Sequence, residues 1–258
     1  MRQFFLETDP ARLPRPGDTV TLDRDESHHL TTVLRGGRRS ELDLVDGRGH
    51  RLTGLSAGGD RKRAQVEILT VTTDQEEFRE PRLVVACAVV KGRRFEWALE
   101  KAVELGAHEV LPLETDLGVV EPGAGKQERW RTIMTAALKQ SGRSWLPSLT
   151  APLPVAAALE RTAAGPVLCG ATAQDARALP VPVLRWTDLL GDGSPPPPTL
   201  TMLIGPEGGW SAAELSLMAG RGVRPVGLGP HILRTETATA AGLVVLQALR
   251  SRWAAAGS

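Results

Sequence analysis

After about residue 80, short apolar runs alternate with amphipathic segments, and this alternation restricts the fold more than any other feature of the chain. Residues 83–90 are continuously apolar, as expected of a strand buried on both faces. Residues 93–105 have helical spacing of apolar side chains, and Gly106 follows at the position of a C-cap. Residues 109–113 and 127–140 repeat the strand and the helix. Strands that alternate with helices predict a parallel α/β sheet.

Two further strands and a core helix are predicted towards the C-terminus. Residues 167–169 and 200–204 have the composition of buried strands. The most apolar stretch, residues 238–249, is shorter than the roughly 20 residues that span a bilayer, so we interpret it as a buried helix. The N-terminus is too charged for a signal-peptide core, and two Cys are typical of a reducing compartment. We therefore expect a cytoplasmic protein.

The first 75 residues have a different pattern. Residues 18–22, 41–45 and 65–69 alternate polar and apolar side chains, and residues 46–49 have hairpin turn chemistry. Residues 26–34 are interpreted as a short helix. A small closed barrel is the expected form of so small a sheet, because closure removes exposed edges. We thus predict a β-barrel domain over residues 1–75 and an α/β domain over residues 76–258.

The charge of the chain is balanced overall and clustered locally. The chain has 31 Lys and Arg residues and 30 Asp and Glu residues, a formal net charge of +1. This balance argues against a protein that binds nucleic acid through its overall charge alone. Clusters of basic residues can still bind phosphate, although solvated loop charge is the alternative interpretation. In the first domain the clustered residues are Arg35, Arg38, Arg39, Arg48, Arg51 and residues 61–63.

Two loops near the C-terminus concentrate unusual residues. Residues 205–211 leave a buried strand and carry three glycines, which permit close approach of a ligand to the backbone, although a purely structural turn is the alternative. Ser211 and Glu214 form a capping box that begins the next helix. Residues 226–238 again lead from a short strand through a loop into a helix. Ile232 and Leu233 lie in this loop, residues 228–234, which is otherwise rich in Gly, Pro and polar groups, as at the edge of an apolar ligand pocket.

Together, the Gly-Pro-Glu-Gly-Gly-Trp-Ser loop and residues 228–238 resemble the SPOUT class of S-adenosylmethionine-dependent RNA methyltransferases. Within that class they are most similar to the bacterial family that methylates N3 of a uridine in 16S ribosomal RNA. Other segments agree with this family over nearly the whole chain: residues 28–30 with 33–35, residues 91–92 with 100–106, and residues 140–143 with Pro147.

The resemblance implies a fold and a set of partners. A small PUA-like β-barrel would precede a SPOUT domain with a parallel sheet, whose C-terminal chain threads a deep trefoil knot. The implied cofactor is S-adenosylmethionine. The implied partners are 16S ribosomal RNA, within the small ribosomal subunit, and a second copy of the chain in a homodimer. No metal is expected, because methyl transfer from a sulfonium needs none and the five His show no metal-ligand spacing.

The resemblance also implies which residues form the site. The cofactor would be held by Leu203, Ile204, Gly205, Glu207, Gly208, Gly209, Leu228, Gly229, Ile232, Leu233, Arg234 and Thr235. RNA contacts are expected from Arg35, Arg38, Arg39, Lys91, Arg93 and Arg143. The catalytic candidates are Arg143, Arg234 and Glu236. Uridine N3 must lose its proton, so a general base or a stabilising cation is required. The base is left open among Glu207, His231, Glu236 and the two arginines.

Two positions depart from the family's pattern, and two rival functions stay open. His231 stands where Arg is expected, and Asp116-Leu117-Gly118 stands where a charged residue, Arg and Ser are usual. The second departure puts any role at that position in doubt. One rival is a SPOUT enzyme that methylates the ribose 2′-oxygen. The other is a non-catalytic RNA-binding or ribosome-assembly protein that has kept the fold.

Overall fold

A computed structural model describes residues 3–33, 40–75, 80–118, 125–172, 175, 182–189 and 195–256. The chain divides into two compact units. The first unit contains Met1–Phe78 and also Thr135–Leu146, and the second contains Arg79–Met134 and Pro147–Ser258. A boundary drawn along the sequence near residue 75 does not include the segment Thr135–Leu146, because its helical pattern does not tell which unit it packs into.

The first unit is built on a five-stranded sheet with the order β1-β3-β4-β5-β2. The pair β1 and β3 is parallel, and the other pairs are antiparallel. The strands are β1 (Gln3–Phe5), β2 (Thr19–Thr21), β3 (Glu41–Val45), β4 (His50–Gly59) and β5 (Ala64–Thr73). The hairpin predicted at residues 46–49 joins β3 to β4 and is confirmed. Helix α1 (Arg24–Val33) begins two residues earlier than predicted, and Asp23 Oδ1 accepts a hydrogen bond from Glu26 N–H there at 2.8 Å.

The apolar residues of the alternating strands form the core of the first unit, as the sequence predicts. The buried side chains come from four of the strands, from α1 and from the adjoining loops: Phe4, Leu6, Leu22, Leu30, Leu42, Leu44, Leu52, Ala64, Val66 and Ile68. Period-two alternation places these residues on one face of the sheet. Burial of that face is what stabilises so small a unit.

The segment after helix α3 (Lys126–Ser141) is attached to the β3–β4 hairpin. Gly49 N–H donates to Ser144 O, and Leu146 N–H donates to Gly47 O, both at 2.9 Å. Gly49 has φ +92°, and a Cβ built there would lie 2.4 Å from Trp145 Nε1. Gly49 is therefore required both by its backbone conformation and by the close approach of the indole.

We expect Gly49→Ala to lower the free energy of unfolding by at least about 2 kcal/mol, because a strained φ and an overpacked contact each cost about 1–3 kcal/mol. Urea unfolding measures this loss. The matched control is Gly58→Ala, since Gly58 has φ +103° and a Cβ there would meet nothing within 4 Å. Equal losses in the two variants would show that the Trp145 contact does not matter.

The second unit is a parallel α/β sheet, as predicted, with the order β11-β13-β10-β12-β6-β7-β8 and with β9 also paired to β7. Every pair in this sheet is parallel. The strands are β6 (Arg82–Ala88), β7 (Glu109–Glu114), β8 (Ser148–Leu149), β9 (Leu153–Pro154), β10 (Val167–Gly170), β11 (Leu184–Arg185), β12 (Thr199–Ile204) and β13 (Arg224–Gly227). Besides α3, the helices are α2 (Arg93–Glu104), α4 (Val155–Arg161), α5 (Ala212–Gly220) and α6 (Thr235–Ala256), with a 3₁₀ turn at Trp186–Leu189.

Helix α6 is the buried helix that the sequence predicts. Leu243, Leu246 and Leu249 are buried. A Cβ at Gly242 would lie 2.7 Å from the Met202 side chain, so the absence of a side chain lets α6 approach β12 closely. No helix among the described residues is long and apolar enough to cross a membrane.

Candidate active site

The two glycine-containing loops leave the same edge of the parallel sheet. One follows β12 and the other follows β13, and β10 lies between these strands. Gly170 ends β10, and a Cβ there would lie 2.9 Å from both Ile204 Cδ1 and Leu228 Cδ1. The last residues of β12 and the first residue of the second loop therefore meet over Gly170. Ligands of open α/β sheets bind at this carboxyl edge.

The first loop, residues 205–211, is a tight turn. Gly209 N–H donates to Pro206 O at 2.9 Å, and Gly209 has φ +74°, which favours glycine. A Cβ at Gly205 would lie 2.9 Å from the ring of Trp210, so this indole packs on the glycine backbone. The predicted capping box is confirmed: Ser211 Oγ accepts from Glu214 N–H, and the Glu214 carboxylate accepts from Ser211 N–H.

A hydrogen bond ties the residue that follows the second loop to the first loop. Thr235, which is buried at the start of α6, donates from Oγ1 to Gly205 O at 3.0 Å. Arg234 O accepts from Ala238 N–H at 2.8 Å, so the helix begins directly after the loop. Within the described part of the chain, the backbone of residues 229–233 makes no hydrogen bond. The second loop therefore presents free peptide groups next to an anchored helix N-terminus.

The apolar side chains of the predicted site differ in their exposure to solvent. Leu203 and Ile204 are buried in β12, where they belong to the sheet core, so only their backbones can face a ligand. Ile232 in the second loop is 82% exposed, and Leu233 beside it is half-buried. An isoleucine this exposed at a loop edge is available to an apolar part of a ligand.

A charged pair that the sequence analysis missed lies at the first loop. Arg94, in the first turn of α2, donates from Nη1 to Glu207 Oε1 at 2.5 Å. Lys91 and Arg93, which were expected to contact RNA, are exposed next to Arg94. Arg94 could have been noticed in the sequence because it belongs to a basic run that follows β6. No spacing in the sequence, however, links it to Glu207, which is 113 positions away.

The candidate catalytic residues of the second loop differ in their surroundings. Arg234 is exposed immediately before α6, whereas Glu236 is half-buried in its first turn. The Oε2 atom of Glu236 is buried and has no hydrogen-bond partner among the described residues. A buried acceptor without a partner is costly. It is therefore a position where a donor from a ligand would be favourable.

The remaining predicted residues belong to the first unit or lie outside the described residues. Arg143 belongs to the first unit, where it is 8% exposed and precedes Ser144, whose Oγ donates to Asp74 Oδ2 at 3.0 Å. Arg35, Arg38 and Arg39 lie outside the described residues.

The two cysteines of the chain are buried in the parallel sheet and are unsuited to thiol catalysis. Burial raises the pKa of both Cys87 and Cys169 to about 12, and the nearby charge of Asp175 acts in the same direction on Cys169. A hydrogen bond with Thr239 at Cys87 and one with Trp210 at Cys169 oppose this effect only in part. Both thiols stay protonated and unreactive at neutral pH. In the described ranges, no group of three or more His, Cys, Asp or Glu residues could hold a metal ion.

Comparison with known proteins identifies the class to which this fold and these loops belong. A family model described as an RNA methyltransferase domain matches residues 78–247, which include all eight described strands of the parallel sheet and both loops. The match makes the second unit an RNA methyltransferase domain.

Relatives specify the family further. Ribosomal RNA small subunit methyltransferase E of Synechocystis is 34% identical over 235 residues, which are 90% of this chain and 73% of that protein. The same enzyme of Mycobacterium bovis is 30% identical over 99% of this chain and 94% of its own length. The crystal structure of the enzyme from Neisseria gonorrhoeae, bound to S-adenosylmethionine, has a TM-score of 0.79 and 28% identity, and covers 96% of this chain and 98% of that one. The chain belongs to the ribosomal RNA small subunit methyltransferase E family.

Proposed function

We propose that this protein transfers a methyl group from S-adenosylmethionine to N3 of a uridine in 16S ribosomal RNA of the small subunit. The observation that carries this proposal is the pair of loops at the carboxyl ends of β12 and β13, joined by the hydrogen bond from Thr235 to Gly205. Family membership supports the reaction and the RNA. The Neisseria gonorrhoeae structure, which contains bound S-adenosylmethionine, supports the cofactor.

The donor set of the two loops fits this cofactor. Free backbone groups of residues 229–233 can hydrogen-bond the edge of an adenine, and the exposed Ile232 can cover its face. The exposed Gly208 and the tight turn at Gly209 bring the peptide backbone of the first loop close to a ligand without an intervening side chain. We assign cofactor binding to these two loops, with Leu203 and Ile204 contributing through their backbones.

S-adenosylmethionine supplies a methyl group bound to a positively charged sulfur. The residues of this chain have three tasks: to hold the reacting groups in line, to exclude water and to remove the N3 proton. Positioning can supply about 7–11 kcal/mol of the barrier reduction. Arg234 at the loop edge is suited to a phosphate or to a uracil oxygen that becomes negative as the proton leaves. Among the residues left open as the base, we favour Glu236, because its buried Oε2 atom has no hydrogen-bond partner among the described residues.

Further parts of the proposal concern fold and assembly. The five-stranded sheet of the first unit supports a small PUA-like barrel that binds RNA through its Arg clusters and through Arg143. Membership of the RNA methyltransferase family supports a C-terminal trefoil knot. Val244 on α6 is 53% exposed and Trp97 on α2 is 41% exposed, which supports burial of these side chains in a homodimer. The activity would take place in the cytoplasm.

Calorimetry and nucleoside analysis test the function directly. We expect the full chain to bind S-adenosylmethionine and to produce N3-methyluridine in small-subunit RNA from cells that lack the gene. Mass spectrometry of the digested RNA separates this product from ribose 2′-O-methylation. No binding of the cofactor or of S-adenosylhomocysteine at about 100 μM would exclude an enzyme of this kind, since that concentration corresponds to only about 5–6 kcal/mol of binding free energy. RNA binding without either activity would indicate a non-catalytic protein.

A further inference from the structure

A turn outside both loops contacts the first of them. Residues 115–118 follow β7, and Gly118 N–H closes the turn on Thr115 O at 2.9 Å. This is the segment whose sequence departs from the family's pattern. Leu117 Cβ lies 3.4 Å from the position of a Cβ built at Gly208, so the turn lies against the glycine backbone. Leu117 is nevertheless 46% exposed.

A closed ring of four hydrogen bonds holds this turn to the first loop. Glu214 accepts at Oε1 from Asp116 N–H at 3.1 Å and at Oε2 from Ser211 N–H at 2.8 Å. Ser211 Oγ accepts from Glu214 N–H at 3.1 Å. The Ser211 hydroxyl in turn donates to Asp116 Oδ2 at 2.5 Å, which closes the ring. Every bond but one in this ring has a carboxylate as its acceptor.

Asp116 does more than the helix cap requires. A capping box needs only Ser211 and Glu214. Glu214 is buried, so its second oxygen also needs a donor, and the backbone of Asp116 supplies it. The Asp116 carboxylate then orients the Ser211 hydroxyl. Hydrogen bonds to a charged acceptor are stronger than neutral ones, so the ring restrains residues 208–211 as well as the turn.

We propose that Asp116 is a positioning residue of the cofactor site, which restrains the first loop through Ser211 and keeps Leu117 against Gly208. This inference rests on the proposed function, because it assigns residues 205–211 to S-adenosylmethionine. Residues 116–118, which differ from the family's pattern, thus have a structural role in this chain. Their turn lies beside the first loop, and Asp116 holds the turn to that loop.

The test compares Asp116→Ala with Asp116→Asn in the full chain. We expect Asp116→Ala to raise the dissociation constant for S-adenosylmethionine about 5- to 20-fold, from the loss of a hydrogen bond to a charged group. The value of kcat at saturating cofactor should change less than twofold. Asp116→Asn should recover most of the affinity, since its amide oxygen can still accept from Ser211. The control is Glu160→Ala, which removes an exposed carboxylate paired with Arg221 elsewhere in the unit and should leave affinity unchanged.

A second variant tests whether the effect passes through Ser211. Ser211→Ala removes the hydroxyl that Asp116 accepts from. We expect Asp116→Ala to have no further effect on affinity in that background, because neither partner of the bond is then intact. An equal loss of affinity with and without Ser211 would overturn the proposal, and so would unchanged affinity in Asp116→Ala.

Hydrogen exchange of the free protein separates this inference from the proposed function. Asp116→Ala should speed amide exchange at Gly209, Ser211 and Glu214, and Asp116→Asn should not. If the unmodified chain does not bind S-adenosylmethionine, the proposed function fails, whatever the exchange data show. If it binds the cofactor but exchange and affinity are the same in Asp116→Ala, only the role of Asp116 is disproved.

Discussion

Replacing Gly209 with Val is expected to weaken S-adenosylmethionine binding at least about 100-fold, which corresponds to roughly 3 kcal/mol. Gly209 has φ +74°, a backbone conformation that a β-branched residue rarely adopts. A Cβ there would lie 3.4 Å from Asp175 Oδ1, so the larger Val side chain crowds that carboxylate. The turn would have to reopen, and the backbone of the first loop would lose its position beside the ligand. Calorimetry on the purified variant measures the loss.

Gly222→Val is the matched control for this effect. Gly222 also has a positive φ, +69°, but a Cβ there would meet nothing within 4 Å, and it follows α5 rather than β12. Both variants should lose about 1–2 kcal/mol of stability from backbone strain, and only Gly209→Val should lose cofactor affinity. Binding that persists in Gly209→Val would remove the first loop from the cofactor site. Equal weakening in both variants would attribute the effect to general destabilisation.

Glu236→Gln should lower kcat by about 10²–10⁴-fold, the usual contribution of a general base. The substitution keeps the size of the side chain and removes its ability to take a proton from N3 of the uridine. The cofactor dissociation constant should be unchanged, because the loop backbones bind it. Single-turnover methylation of small-subunit RNA measures the rate of the chemical step.

A comparison of rate with stability distinguishes a base from a residue that only stabilises α6. Loss of the favourable charge at the helix N-terminus costs about 0.3–1 kcal/mol of stability and does not itself slow the chemical step. Urea unfolding of Glu236→Gln measures this loss beside the single-turnover rate. A decrease in kcat of less than threefold would rule Glu236 out as the base.

Local patterns predicted most of the elements correctly, since local physics determines them. The alternation in β3 and the apolar run of β6 reflect the burial of one and of both faces of a strand. The capping box of Ser211 and Glu214 is confirmed because its two partners are only three residues apart. By contrast, β8, β9 and β11 have two residues each and too little pattern to be recognised.

Contacts between distant segments could not be predicted from these patterns. Arg94 and Glu207 are 113 positions apart, and Ser211 and Asp116 are 95 apart. No periodicity relates such positions, because only the order of strands in the sheet brings them together. The first unit shows the same limit. Its hairpin was predicted from turn residues, but the contact of Gly49 with Trp145 was not.

The sequence by itself determined the class of fold and the two loops that we propose as the cofactor site, because burial patterns, glycine turns and caps act over a few residues. The tertiary structure alone decided which side chains meet at those loops. It joined Thr235 to Gly205 and attached the turn of Asp116 to Ser211. It also assigned Arg143 to the first unit, where the side chain is 8% exposed. The physical reason is that parallel strands far apart in sequence end at one edge of a sheet, and packing selects the neighbours there.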